Sequence, residues 1–296
     1  MKKYFLLCFV LVAGLAKAQQ VQPAENREKE VVYESLSPIL NFDLTVDLNA
    51  INFEDIAKTE GKNYALIIAV QDYTDKAITK LDNPISDASK LQKTLNTYYT
   101  FDPEYTTFLK NPKRTDLIIA FEKMAAVITP KDNLLIFYAG HGYFDEKTEL
   151  GYWLPADAVR KDRSSWFPNT ILRDYIRGIQ TKHTLLIADA CFSGGIFKTR
   201  ALANASKAIQ QAYELPSRRA ITSGALNEVP DKSVFMEYLV KRLEQNNSPF
   251  LLAENLFSSL KYAVMGNSSI SQVPQYGEIS GAGNEGGDFV FIRKKR

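Results

Sequence analysis

Hydrophobic positions along the chain cluster into short, nearly continuous runs rather than alternating with polar ones. Residues 64–70 (YALIIAV), 134–138 (LLIFY) and 184–188 (TLLIA) are each of strand length and carry almost no polar residue. Such runs predict strands buried on both faces of a sheet. Between them the apolar period lengthens to that of a helix. Residues 87–99 place Ala88, Leu91 and Leu95 on one face behind Ser86 and Asp87 as capping residues, and residues 115–127 and 170–179 form further helices. A short strand is predicted at 106–109, another at 220–223, helices at 234–244 and 252–264, and a closing strand at 289–292. Alternating strands and helices predict an α/β architecture with a largely parallel sheet, in one domain from about residue 63 to 296.

The N-terminal 62 residues follow a different pattern. Residues 1–18 combine basic Lys2 and Lys3, an apolar stretch to Leu15 and the small-x-small exit Ala16-Lys17-Ala18. This predicts a signal peptide cut before Gln19, and hence export to the periplasm or the extracellular space. Residues 19–62 show no sustained period and are expected to be an extension or linker. No later run reaches the roughly 20 apolar residues of a membrane-spanning helix, so no membrane association is expected. Without Lys2, Lys3 and Lys17 the balance falls from 36 basic and 34 acidic residues to 33 against 34. That balance removes the case for nucleic acid as a partner.

Of two cysteines, Cys8 lies in the signal segment and leaves Cys191 alone. A lone thiol is an inert buried group, an intermolecular bridge or a reactive nucleophile. Its position decides what is expected of it. Cys191 follows the run 184–188 in Asp189-Ala190-Cys191-Phe192-Ser193-Gly194-Gly195, and His141 follows the run 134–138 in Ala139-Gly140-His141-Gly142. Reacting groups of α/β proteins collect beyond the carboxyl ends of strands, so an imidazole and a thiol are expected at one sheet edge. A thiol of ordinary pKa about 8.5 needs a neighbouring imidazolium to become thiolate near neutrality. The amides of Gly142 and Cys191 are candidate donors to an oxyanion. The other histidine, His183, precedes its strand and is expected to be structural.

These residues resemble the caspase and metacaspase family of cysteine peptidases. Cys191 lies fifty residues after His141, the caspase spacing, whereas D-A-C-F-S-G departs from the caspase pattern Q-A-C-x-G. Aspartate two before the cysteine and serine two after it are similar to metacaspases and their bacterial relatives. The resemblance spans about residues 63–292. It implies a caspase-like three-layer sandwich, a central sheet of about six strands flanked by helices. It also implies cleavage of polypeptide substrates through a thioacyl intermediate. Metacaspase-like enzymes select Arg or Lys before the scissile bond with carboxylates. Here Asp189 and Asp87, the latter in Asn83-Pro84-Ile85-Ser86-Asp87-Ala88, match those positions and would bind a cation by charge-assisted hydrogen bonds.

Self-processing is expected after Lys198 or Arg200, with Arg218 and Arg219 less favoured. Some relatives require calcium, but acids such as Asp145, Glu146, Glu149, Glu228 and Asp231 lack the spacing of a calcium loop, so no cofactor or metal is expected. Tyr143, Phe144, Tyr152, Trp153 and Trp166 are either walls of a substrate cleft or core. Two other readings stay open: a catalytically silent caspase-like binding scaffold, and a cysteine amidohydrolase or transpeptidase acting on cell-wall peptides. The sequence is silent on whether the protein is a monomer or a dimer.

Overall fold

The computed structural model describes residues 61–190, 196–198, 212–224, 232–269 and 272–295. Five parallel strands form the centre of the described domain. They are β1 (Asn63–Ala69), β2 (Thr106–Lys110), β3 (Asn133–Ala139), β7 (His183–Asp189) and β9 (Ser217–Thr222), in the order β2-β1-β3-β7-β9. β11 (Gln275–Ile279) extends the sheet antiparallel to β9. A two-residue strand, β8 (Phe197–Lys198), pairs antiparallel with β11 at the edge. The sheet therefore has six substantial strands and a short seventh, and it is mostly parallel.

The apolar runs exist because every residue of β1, β3 and β7 is buried. Successive side chains point to opposite faces. Leu66, Ile68, Leu134, Ile136 and Leu186 enter one core layer, beneath α2 (Arg114–Val127) and α3 (Asn169–Gly178). Ala65, Ile67, Leu135, Phe137, Leu185 and Ile187 enter the other, beneath α1 (Pro84–Tyr98), α4 (Val234–Gln245) and α5 (Ala253–Asn267). Helices on both faces give the three-layer sandwich. Truncating a ring such as Phe137, fully buried within it, would cost about 3–5 kcal/mol in lost transfer energy and cavity formation.

Several details differ from the sequence expectations. α1 begins at Pro84, three residues early, because proline at N1 sacrifices only an amide that a helix start leaves unpaired anyway. Ser86 and Asp87 consequently lie in its first turn rather than capping it. The final strand, β12 (Val290–Ile292), does not join the main sheet but pairs with β10 (Phe250–Leu252). A second small sheet, β4 (Gly142–Asp145), β5 (Leu150–Trp153) and β6 (Phe167–Pro168), springs directly from His141. No helix among the described residues is long and apolar enough to cross a membrane.

Candidate active site

β3 ends at Ala139, Gly140 makes the exit, and His141 stands just beyond. Gly140 is needed for close approach: a Cβ there would come within 2.9 Å of the Tyr138 hydroxyl and 3.1 Å of Val70 Cβ. The backbone of His141 is fixed at both polar atoms. Its N–H donates to Tyr73 Oη at 2.8 Å, and its carbonyl accepts from Tyr138 Oη at 2.6 Å and from Leu154 N at 3.1 Å. Tyr138 is itself stacked on Trp153, ring centroids 4.2 Å apart and planes parallel within 1°.

The imidazole packs at 5.2 Å from the Tyr73 ring, and its Nε2 lies 2.8 Å from the Thr79 carbonyl oxygen. A backbone carbonyl only accepts, so Nε2 carries a hydrogen. In the neutral ring Nδ1 is then the atom with a lone pair. Thr79 sits in a well-held loop. Leu81 N bonds Gln71 O, Ile78 N bonds Asp75 O, and the Asp75 carboxylate accepts the amides of Ala77 and Arg160. Neither Tyr73 nor Thr79 was singled out in the sequence. One acts through a hydroxyl some seventy residues away, the other through its main chain, and neither leaves a motif.

Gly142 is opposite Trp153 in the β4–β5 ladder, and the adjacent rung is the Leu154 N to His141 O bond. Antiparallel ladders alternate bonded and non-bonded pairs. Gly142 is on the non-bonded phase, and its N–H points away from β5.

β7 brings Asp189 to the same sheet edge, in register with Ala139. Asp189 is 6% exposed, and its Oδ1 has no hydrogen-bond partner among the described residues. Burial pushes the Asp189 pKa up to about 6, the Ser233 and Ser223 hydroxyls pull it down, and the charge of Asp87 raises it further. Ser233 caps α4 by accepting from Met236 N. The Ser223 hydroxyl lies near Asp189 but closes no hydrogen bond of normal geometry, so Oδ1 remains an open acceptor. Asp87 and Asp189 are thus brought together electrostatically from α1 and β7. A cleft of about 330 Å³ between α1 and α4 is lined by Asp87, Lys90, Lys232, Ser233 and Glu237, among others, while the buried Asp189 is not part of its wall. Cys191, two positions beyond Asp189, lies outside the described residues, as does Arg200.

The remaining candidates fall elsewhere. Tyr152, Trp153 and Trp166 are buried in the core, whereas Tyr143 is exposed beneath the Arg163 guanidinium, 5.4 Å from its ring centre. Asp145 accepts from Arg163 and from Lys147 N. No group of three metal-ligating side chains occurs among the described residues. His183 opens β7 at the far edge, fully buried, held by Ser217 Oγ and the Tyr213 carbonyl at 2.9 Å each.

Residues 62–280 match the family model described as Caspase domain, of the C14 peptidases. The chain belongs to the caspase-domain family. Caspase-1 of Spodoptera frugiperda, a solved crystal structure, shares the fold with a TM-score of 0.55 at 15% identity, over 75% of this chain and 88% of that one. No curated protein matches the sequence. The caspase domain is a cysteine peptidase domain, which implies proteolysis and polypeptide substrates.

Proposed function

We propose that this caspase-domain protein is a cysteine endopeptidase working through His141 and Cys191 and cutting after Arg or Lys. The observation that carries the reading is the commitment of His141 Nε2 to the Thr79 carbonyl at 2.8 Å, which reserves Nδ1 for proton exchange with a thiol. Cys191 as thiolate attacks the peptide carbonyl carbon, and the negative oxygen is held by the amides of Gly142 and Cys191. The C–N bond breaks, the imidazolium gives its proton to the leaving amine, and a thioester remains. Water then attacks that thioester while His141 takes a proton, releasing the carboxylate product and the thiolate. Asp189 and Asp87 receive the cationic side chain before the scissile bond, a charge-assisted contact in a partly dehydrated place.

The test uses fluorogenic peptides differing only in Arg, Lys or Asp at that position, on wild type and Cys191→Ala. Thiol-dependent cleavage after Arg and Lys is expected. A preference for Asp would sink the pocket assignment, and no cleavage of any peptide would favour the scaffold reading. Faster acyl transfer to an added amine than to water would favour a transpeptidase.

Self-cleavage after Lys198 or Arg200 belongs to the same proposal. The Lys198 backbone pairs with Glu278 on a sheet edge, so cutting there requires β8 to lift from β11. Arg218 and Arg219 lie inside β9, Arg219 paired on both sides by β7 and β11 and Arg218 paired with β7, which disfavours them as sites. Identical single masses for active protein and Cys191→Ala after long incubation would end this idea. We further propose export with cleavage before Gln19, readable from the mass of the secreted chain. Activity is expected to be indifferent to calcium chelation.

A further inference from the structure

The Asp87 carboxylate holds a cation supplied by its own helix. Lys90 Nζ lies 3.0 Å from Asp87 Oδ1, one turn further along α1. Both side chains line the cleft between α1 and α4, and Asp87 is the carboxylate whose charge reaches Asp189. Their environments differ: the Asp87 side chain is 15% exposed and that of Lys90 63%. The carboxylate is therefore largely enclosed, while the ammonium sits on the solvent side of it with a long, uncrowded stem. The head group of Lys90 is also chemically the same as that of a substrate lysine.

We propose that Lys90 is a built-in competitor for the cation subsite, a specificity-determining residue that must swing away from Asp87 before an Arg or Lys side chain can enter. The assignment rests on the reading of Asp87 and Asp189 as that subsite. Displacement needs only rotation of the Lys90 side chain, because its exposed amine regains water as it leaves. The cost falls on binding, not on chemistry at the scissile bond, since Lys90 has left the carboxylate in every productive complex. Arg and Lys peptides face the same competitor, so removing it improves both by one factor and leaves their ratio unchanged. A pair whose ammonium partner is solvent-exposed corresponds to about a two- to five-fold change in affinity.

The test compares wild type, Lys90→Met, Lys90→Arg and Lys93→Met with Arg, Lys and neutral peptides. Lys93 is exposed on the same helix but does not line the cleft, so Lys93→Met removes an equal charge without touching Asp87. Lys90→Met should lower KM for Arg and Lys peptides about two- to five-fold at constant kcat, with no gain for the neutral peptide. Lys90→Arg and Lys93→Met should behave as wild type. Calorimetric titration of agmatine into the Cys191→Ala background, with and without Lys90→Met, measures the subsite independently of turnover and should tighten by the same factor. If wild type prefers Arg and Lys but Lys90→Met changes neither KM nor agmatine affinity, the competitor role is overturned and the subsite reading stands. A gain equal in Lys93→Met would also overturn it, as a general field effect. If wild type prefers Asp, the subsite reading itself fails.

Discussion

Ala139 and Asp189 are register partners at the ends of β3 and β7, the last rung of a ladder that begins at Asn133 and His183. Every rung joins residues fifty apart, and fifty is also the separation of His141 from Cys191. The sequence spacing is therefore the register offset of two adjacent parallel strands, carried two residues past their ends. The number itself is incidental, because the connection between the strands can lengthen without moving the register.

This gives a direct prediction. The β4–β5 turn is exposed from Glu146 to Glu149. One glycine inserted between Thr148 and Glu149 raises the spacing to fifty-one and should leave activity within about two-fold, since surface turns absorb insertions. The same glycine inserted between Ala139 and Gly140 displaces His141 from its fixed backbone and should cost at least about 100-fold in kcat/KM. Peptide hydrolysis by the two variants, alongside their melting temperatures, checks this.

Tyr73→Phe keeps the ring beside the imidazole but deletes the oxygen that accepts the His141 amide. Leaving that amide unpaired should cost about 1–3 kcal/mol where it is buried, visible as a lower melting temperature. Because the shift is at His141 and not in the cleft, kcat should fall while KM for Arg peptides holds. A fall in KM affinity with kcat intact would contradict the placement.

The pH dependence of substrate binding should follow Asp189, whose carboxyl is pushed up to about 6 chiefly by burial. Above that pH the group is negative and attracts a cation; below it the group is neutral and the attraction is lost. KM for Arg peptides should rise as pH falls through about 6. In Asp189→Asn the affinity should be weak throughout and this limb absent. A profile that is unchanged by the substitution would mean that another group titrates.

His183 makes a prediction about stability. Burial lowers its pKa from 6.5 to about 3, with the charges of Lys182 and Arg218 adding and the Tyr213 carbonyl opposing. The unfolded chain thus takes up a proton that the folded chain refuses. The stabilising difference is whole above pH 6.5 and is lost as pH falls towards 3, with an upper bound of about 5 kcal/mol. Asp189 and Asp288, both raised to about 6, act in the opposite direction, losing stability as pH rises. The comparison with His183→Gln isolates the histidine: its acid limb between pH 6.5 and 3 should be shallower in urea titrations.

What could be read from the sequence follows from burial. β1, β3 and β7 were legible because both faces are covered, which writes an unbroken apolar run. β4 to β6 were not: the strands have four residues or fewer, β6 contains Pro168, and their aromatic residues are shared between core and surface. β11 reads QYGEI, mostly half-buried next to the edge, and carries neither a continuous run nor a clean alternation. Among site residues, those acting through distinctive side chains beside glycines were visible. Asp87 and Asp189 emerged only through family likeness, since a lone carboxylate near a helix start has an ordinary alternative. Lys90 had no signal apart from its spacing to Asp87.

The partner of His141 Nε2 is a peptide oxygen, and every amino acid at position 79 would supply one. The tautomer is consequently insulated from single substitutions there: Thr79 can drift to almost any residue that tolerates the local path. Sensitivity passes instead to the length and bracing of residues 71–82, where a deletion, or loss of the Asp75 carboxylate that ties Ala77 and Arg160, would move the oxygen. In related chains this feature is therefore expected to persist as a constant loop length with variable identity at its working position.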